Sequence, residues 1–242
     1  RDECYHWLDI HLLLPPKGRC ELPFHKIRMS HVGRWHGHLW EQVELPFFCK
    51  DGVLLSLHSV APLFKRHQLV VMHDAKVAHK GKSDIGNLKR ICYSFLGKTL
   101  GRVLPRIIAI SNFAAKDIHK GFDIPYEKIV VILSGRYSLE EVHSEDGILD
   151  RLQLQRKKYI LAVGGGRTKN NVLTANAVEM MGREDLYFVV AGFSPEVMLQ
   201  QLNQFTRTKC IGRVTDEELT ALYKNALCLA FPSLVEGFGV PP

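Results

Sequence analysis

Two short stretches of this chain set charged side chains against glycine. In Tyr159-Ile160-Leu161-Ala162-Val163-Gly164-Gly165-Gly166-Arg167-Thr168-Lys169-Asn170-Asn171, an apolar run empties into three glycines, then two cations and a pair of asparagines. A strand that turns through glycine into a helix start offers unpaired N–H groups to an anion, and the helix dipole adds attraction. Lys169 would supply a point charge there and Arg167 a forked one. The spacing is not that of a phosphate-binding loop, since no Gly-Lys-Ser/Thr follows. Nor is it Gly-x-Gly-x-x-Gly, because Lys169 stands where the third glycine belongs. A tight strand-to-helix turn with solvated charges fits the same letters.

The second stretch is Pro232-Ser233-Leu234-Val235-Glu236-Gly237-Phe238-Gly239. Glycines beside an acid let backbone N–H groups approach a polar ligand, while the carboxylate can grip hydroxyls. That chemistry suits a sugar. His73 closes the apolar run Gln68–Met72 and precedes Asp74, so it is a third candidate. A lone histidine after a strand is also an ordinary structural residue.

The elements that must position these groups are legible from periodicity. Short strands are predicted over 53–57, 68–72, 106–110, 128–133, 159–163, 186–191, 210–211 and 227–231. Between them fall helical patterns. Ser83 and Asp84 can cap a helix carrying Ile85, Leu88, Ile91, Cys92, Phe95, Leu96 and Leu100, which Pro105 ends. Ser111 caps a short helix through Ile118. Further helices are predicted over 171–181, near 196–204, and from Thr215 to Asn225. Residues 135–158 lose the apolar pattern and read as a linker. Strands alternating with helices imply an α/β chain of two doubly wound, Rossmann-like domains, residues 1–140 and 141–242.

Composition narrows the class further. With 242 residues, 46% of them hydrophobic, the chain can bury a substantial core. No apolar run approaches the roughly 18 residues of a membrane span, and no secretory signal opens the chain. Six scattered cysteines with no Cys-x-x-Cys pair read as reduced thiols of a cytoplasmic protein. The chain begins with Arg1 and stops in mid-motif, so both ends are expected to be cut.

The net charge of +7 is uneven, with 21 Lys and Arg against 13 Asp and Glu in residues 1–140, and 11 against 12 thereafter. Its densest part, Lys76 to Arg106, would attract phosphates. The apolar stripe of the helix after Ser83 is expected to pack on the sheet. Its basic flanks equally suit peripheral contact with an anionic membrane. His31, His36, His38, His58, His67, His73 and His79 match no zinc spacing, so no metal is assigned. Nucleic acid is disfavoured too, because basic and aromatic residues do not interleave.

The linked segments resemble retaining glycosyltransferases of the two-domain, glycogen-synthase-like type (family four, group 1). Val163-Gly164 followed by Lys169-Asn170 is similar to the start of that family's donor domain. Gly212-Arg213-Val214 through Tyr223 resembles its segment beside the nucleotide base, and Glu236-Gly237-Phe238-Gly239 its sugar-binding loop. Gly37 to Gln42, His73-Asp74, Ser111-Asn112-Phe113 and Ile124 to Ile129 resemble parts of its acceptor domain. The family's opening glycine-rich loop is absent, and its second glutamate would fall at position 244.

The resemblance implies a GT-B type fold, with two Rossmann-like domains facing a cleft and both incomplete here. It implies sugar transfer with retention from a nucleotide diphosphate sugar, GDP-mannose favoured, to a saccharide or lipid-linked acceptor, as in bacterial polysaccharide or lipopolysaccharide synthesis. Lys169, Glu236 and His73 would be catalytic. Arg167, Gly164, Gly165, Gly212, Val214, Gly237, Phe238 and Gly239 would bind the donor, with no metal and no cofactor. Such an enzyme would work in the cytoplasm or at the inner face of the membrane. The chain as it stands is expected to be weakly active or inactive. A non-catalytic nucleotide-binding module is the alternative.

Overall fold

The computed structural model describes residues 8–20, 27–79, 86–135, 142–192, 200–234 and 236–237. The chain divides into two compact units, residues 1–78 with 87–132, and residues 79–86 with 133–242.

In the first unit, β1 (His11–Leu14) and β2 (Arg28–His31) pair in parallel as a two-stranded sheet. Neither strand stands out by apolar periodicity, so neither is among the strands predicted from the sequence. Helical turns follow: α1 (Gly37–Leu39), a π turn (Trp40–Glu44) and α2 (Leu45–Phe48). Next come β3 (Leu54–Ser56), β4 (Gln68–Met72), α3 (Asn87–Val103), β5 (Ile107–Ala109), α4 (Asn112–Phe122) and β6 (Ile129–Val131). The four strands β3 to β6 lie side by side in chain order, all parallel. Parallel neighbours need crossovers, and here α3 and α4 supply two of them.

The α4 helix starts where expected, with the Ser111 Oγ accepting from the Ala114 N–H at 3.0 Å. It runs on to Phe122, beyond the predicted end at Ile118, and stops at Asp123 in the left-handed conformation (φ 58°). Phe122 is what holds the extra turn, since it packs into the core against α3. A Cβ on Gly97 would sit 2.7 Å from the Phe122 ring, and one on Gly101 would overlap Ile124. Glycines four apart on α3 therefore let α4 and its exit segment approach the helix backbone.

That buried side of α3 corrects one expectation. Leu88, Ile91 and Phe95 do not pack on the sheet; they are exposed, and Gly97, Leu100 and Gly101 form the buried side. Ser83 and Asp84, the expected caps, lie outside the described residues.

The second unit holds α5 (Gly147–Arg151), β7 (Tyr159–Val163), α6 (Asn171–Met180), β8 (Tyr187–Ala191), β9 (Thr208–Gly212), α7 (Asp216–Asn225) and β10 (Cys228–Leu229). The sheet order is β10-β7-β8-β9, all parallel. The central strands are apolar on both faces, as a sheet covered on both sides requires. Tyr159, Leu161, Val189 and Ala191 join one core cluster; Ile160, Ala162, Phe188 and Val190 join another. Thr215 caps α7 in a reciprocal box with Glu218, each side chain bonding the other's backbone N–H (3.2 and 3.0 Å).

Two expectations need correction here. The predicted linker over 135–158 contains α5, whose Ile148 and Leu149 are buried in the first of those clusters. Five residues with no side-chain cap leave almost no periodic signal. The last strand is also shorter than 227–231, because only Cys228 and Leu229 pair with β7. The helix predicted near 196–204 lies largely outside the described residues.

Candidate functional site

The site grows from the carboxyl ends of the strands of the second unit. After Val163 the chain turns through Gly164 (φ 92°) and Gly166 (φ 91°), a backbone conformation that side chains resist. Gly192 (φ 106°) directly follows β8 and Gly212 (φ 71°) ends β9 in the same left-handed region. The three turns are bonded together: the Gly164 N–H donates to the Ala191 carbonyl at 2.8 Å, and the Gly192 N–H to the Gly212 carbonyl at 2.7 Å. A Cβ on Gly192 would stand 3.2 Å from the Gly164 nitrogen. Glycine is thus required where the strand ends crowd.

Past the glycines, a 3-10 turn (Arg167–Lys169) leads to Asn170 in the left-handed conformation (φ 55°), the N-cap of α6. Asn171 is buried, and its Nδ2 donates to the Gly164 carbonyl at 3.0 Å, tying the helix start back to the glycine turn. The backbone of residues 232–234 is joined to the same turn. The Leu234 N–H donates to the Thr168 carbonyl at 2.9 Å, and the Asn170 Nδ2 to the Pro232 carbonyl at 3.4 Å.

These ties bring the two charged stretches of the sequence together. Lys169 Nζ donates to Glu236 Oε1 at 2.8 Å. The two side chains are 21% and 23% exposed, so the pair is shielded but still reachable from solvent. Lys169 Nζ also lies 5.0 Å from the centre of the Phe231 ring, within cation–π range. Its aliphatic stem covers Gly164, where a Cβ would meet Lys169 Cε at 3.1 Å. One ammonium is therefore held by a carboxylate and an aromatic face, above a turn rich in backbone N–H groups and at a helix start. Such a constellation can neutralise a phosphate while offering an acid to hydroxyls.

The other sequence-derived candidates are distributed as follows. Gly165 and Gly237 are buried, and Gly212 ends β9. Val214 packs against a core cluster, the expected environment of an apolar side chain beside a capped helix. Arg167 opens the 3-10 turn, and its side chain lies outside the described atoms. Phe238 and Gly239 lie outside the described residues. His73 belongs to the first unit, directly after β4, and is exposed. Its Nε2 donates to the Leu57 carbonyl at 2.9 Å, so the neutral ring keeps Nδ1 as its acceptor nitrogen.

Gly192 and Phe231 are not among the site residues predicted from the sequence, and Asn171 enters there only as the last residue of the glycine-turn stretch. Gly192 follows a predicted strand, a signal open to use, whereas the ring of Phe231 gains meaning only once Lys169 is beside it. Among the described residues, no group of three or more His, Cys, Asp or Glu side chains is placed to hold a metal ion. No described helix is long and apolar enough to cross a membrane.

Residues 147–242, which contain the whole of this constellation, match the family described as glycosyl transferases group 1. This stretch is a glycosyltransferase group 1 domain. The chain is also homologous to O-antigen mannosyltransferases. It is 25% identical over 206 residues to the O-antigen chain mannosyltransferase RfbU of Salmonella typhimurium, a match covering 81% of this chain and 53% of that protein. It is 28% identical over 148 residues to the O-antigen chain mannosyltransferase B of Escherichia coli, covering 56% and 39%. The chain thus spans about half the length, or less, of these curated relatives.

Among solved structures, a sucrose-phosphate synthase from Thermosynechococcus elongatus superposes with a TM-score of 0.64 at 15% identity, over 96% of this chain and 67% of that one. HepE of Anabaena, solved with UDP and glucose, superposes with a TM-score of 0.55 at 13% identity, over 71% and 48%. The fold of this chain is accordingly of the GT-B, Rossmann-like kind, parallel sheets covered by helices. The glycine turn, Lys169 and Glu236 all fall inside the matched domain.

Proposed function

We propose that the protein is a hexosyltransferase that moves a sugar from a nucleotide diphosphate sugar to an acceptor hydroxyl with retention. The observation that carries this reading is the Lys169–Glu236 pair over the glycine turn. Lys169 would offset the charge that grows on the departing diphosphate as the anomeric bond breaks. One well-placed charged donor of this kind is typically worth about 3 kcal/mol of barrier. The backbone N–H groups around Gly164–Gly166 and the start of α6 would cradle the phosphates. When a donor arrives, Glu236 exchanges its lysine for sugar hydroxyls, with the Gly237–Gly239 backbone beside it. Arg167 would add charge to the diphosphate, and Gly212 and Val214 would lie toward the base. The residues 141–242 would then be the donor domain and 1–140 the acceptor domain.

Retention without a dedicated nucleophile fits front-face attack, in which the leaving phosphate takes the acceptor proton. His73 is assigned a role toward the sugar or acceptor. Mannose is the favoured sugar, a reading supported by relatives named as mannosyltransferases, and GDP is the nucleotide proposed to carry it. The acceptor would be a saccharide or lipid-linked saccharide at the inner face of the membrane, in polysaccharide or lipopolysaccharide synthesis.

Incubation with GDP-mannose and a mannoside acceptor, followed by NMR of the product's anomeric proton, tests the reaction and its stereochemistry together. A product of inverted configuration refutes retention. Calorimetric binding of GDP without turnover, in a polypeptide extended to its relatives' length, would identify a nucleotide-binding module instead. A folded Lys169→Ala variant of that longer polypeptide should lose most transfer; unchanged turnover removes the phosphate role.

A further inference from the structure

We propose that the outward side of α3, together with Phe64, docks on an anionic lipid bilayer. The proposal is independent of the sugar chemistry. Leu88, Ile91 and Phe95 are 77%, 58% and 65% exposed, and Phe64 is 89% exposed. Positions 88, 91, 95, 99 and 103 follow helical spacing along one side of α3, opposite Gly97, Leu100 and Gly101. The helix is therefore apolar on two sides, of which only one is used in the core. Phe64, Phe95, Arg66, Thr99 and Val103 line one shallow groove, so the loop before β4 extends the stripe.

Charge identifies the occupant. Residues 86–106 contain Lys89, Arg90, Lys98, Arg102 and Arg106 and not one Asp or Glu. Among the described residues, none of Lys89, Lys98 and Arg102 pairs with a carboxylate, and all three are exposed. Lys89 and Lys98 fall on opposite flanks of the stripe at helical spacing. A protein partner would be expected to offer a patch of discrete pairing geometry. A row of cations flanking aliphatic and aromatic side chains instead matches a surface that is negative everywhere and apolar beneath. Seventeen residues give α3 a length of about 26 Å, suited to lying in the interface plane.

Sedimentation of the 242-residue chain with vesicles of phosphatidylcholine, with and without phosphatidylglycerol, tests this. Retention is expected only on the anionic vesicles, and weaker in high salt. The pair Phe64→Ser/Phe95→Ser should reduce apparent affinity about tenfold at low salt, and Lys98→Gln/Arg102→Gln should do so as well while flattening the salt dependence. Leu88→Ser/Ile91→Ser provides a second apolar variant should the first unfold, with thermal melting as the control for both. Absence of retention on anionic vesicles overturns the proposal. So does retention that survives both apolar variants, which would mean charge adsorption alone. A change in elution volume of the free protein caused by these variants, without any change on vesicles, would make the face a protein interface and overturn it equally.

Discussion

Lys169 Nζ and Glu236 Oε1 lie 2.8 Å apart although 67 positions separate them in the chain. The contact is made possible by backbone bonds that close the two loops first, Leu234 to Thr168 and Asn170 to Pro232. Neither charge is deeply buried, so the pair is exchangeable: a ligand that brings phosphate to the lysine and hydroxyls to the glutamate satisfies both groups again.

That exchange is measurable. Lys169→Met should weaken GDP binding by about ten- to a hundredfold, the value of a lost charged hydrogen bond, while Glu236→Gln should leave GDP affinity nearly intact. A double-mutant cycle on stability should give a coupling of about 1 kcal/mol between the two without nucleotide. Saturating GDP should shrink it toward zero, because the diphosphate takes over the ammonium. Coupling that is unchanged by GDP would show that Lys169 never leaves Glu236.

Phe231 should act on the same ammonium. Its ring face, 5.0 Å from Lys169 Nζ, is worth about 1 kcal/mol as a cation–π contact. Phe231→Leu keeps most of the volume and loses the quadrupole, so GDP affinity should fall about fivefold; Phe231→Tyr should restore it. Calorimetry on the two variants, with melting curves to compare their folds, distinguishes a ring that orients the lysine from one that only fills space.

How far the sequence reached depended on how local each signal was. The strand Tyr159–Val163, the Ser111 and Thr215 caps and the glycine turn carry their signals within a few residues, and all are found where expected. The short α5 and the two-residue β10 are held by tertiary packing, which periodicity does not record. The apolar pattern predicts the helix α3 but not which side of it is buried, because Gly97 and Gly101 form much of that side beside Leu100. Charge was deceptive in another way. Lys65, Lys128, Lys157 and Lys209 each donate to carbonyls at the C-terminal end of a helix, in its last turn or just past it. Four of the basic residues are therefore committed to folding.

Tyr159 should set the alkaline limit of stability. Its side chain is fully buried and its hydroxyl donates to the Leu222 carbonyl at 2.7 Å. Burial, and secondarily the charge of Asp146, push the phenol above its ordinary range. The folded value is raised over the unfolded one of about 10, so the contribution is complete below pH 10 and is lost as pH rises beyond it. Melting temperature should therefore fall above pH 10, and Tyr159→Phe should flatten that branch at a cost of about 1 kcal/mol at neutral pH.

Asp185 should shape the acid side. Hydrogen bonds from Arg183, and then from Lys158, hold its carboxyl well below the usual carboxylate range. With the folded value depressed, the stabilisation is present above about pH 4 and is lost as pH falls below it. In acid titrations followed by circular dichroism, Asp185→Asn should unfold with a shallower pH dependence there. An unaltered acid branch would mean that the exposed pair is screened out by solvent.

Lys128 offers the sharpest test of the cation-as-cap reading. Its Nζ donates to the carbonyls of Gly101, Arg102 and Leu104 at 3.1, 3.3 and 3.2 Å, closing the C-terminal end of α3 from a different element. A cation at that end also meets the negative pole of the helix dipole. Lys128→Met retains the stem but not the donors, and should cost about 1–2 kcal/mol in urea unfolding with an unchanged slope. Lys128→Arg should recover only part of this, because a planar fork cannot direct three donors into one ring of carbonyls as an ammonium does. A Lys116→Met change on the exposed side of α4 is the matched control, expected to stay within about 0.5 kcal/mol of the parent. If the two substitutions cost the same, the carbonyl ring contributes nothing that solvent does not replace.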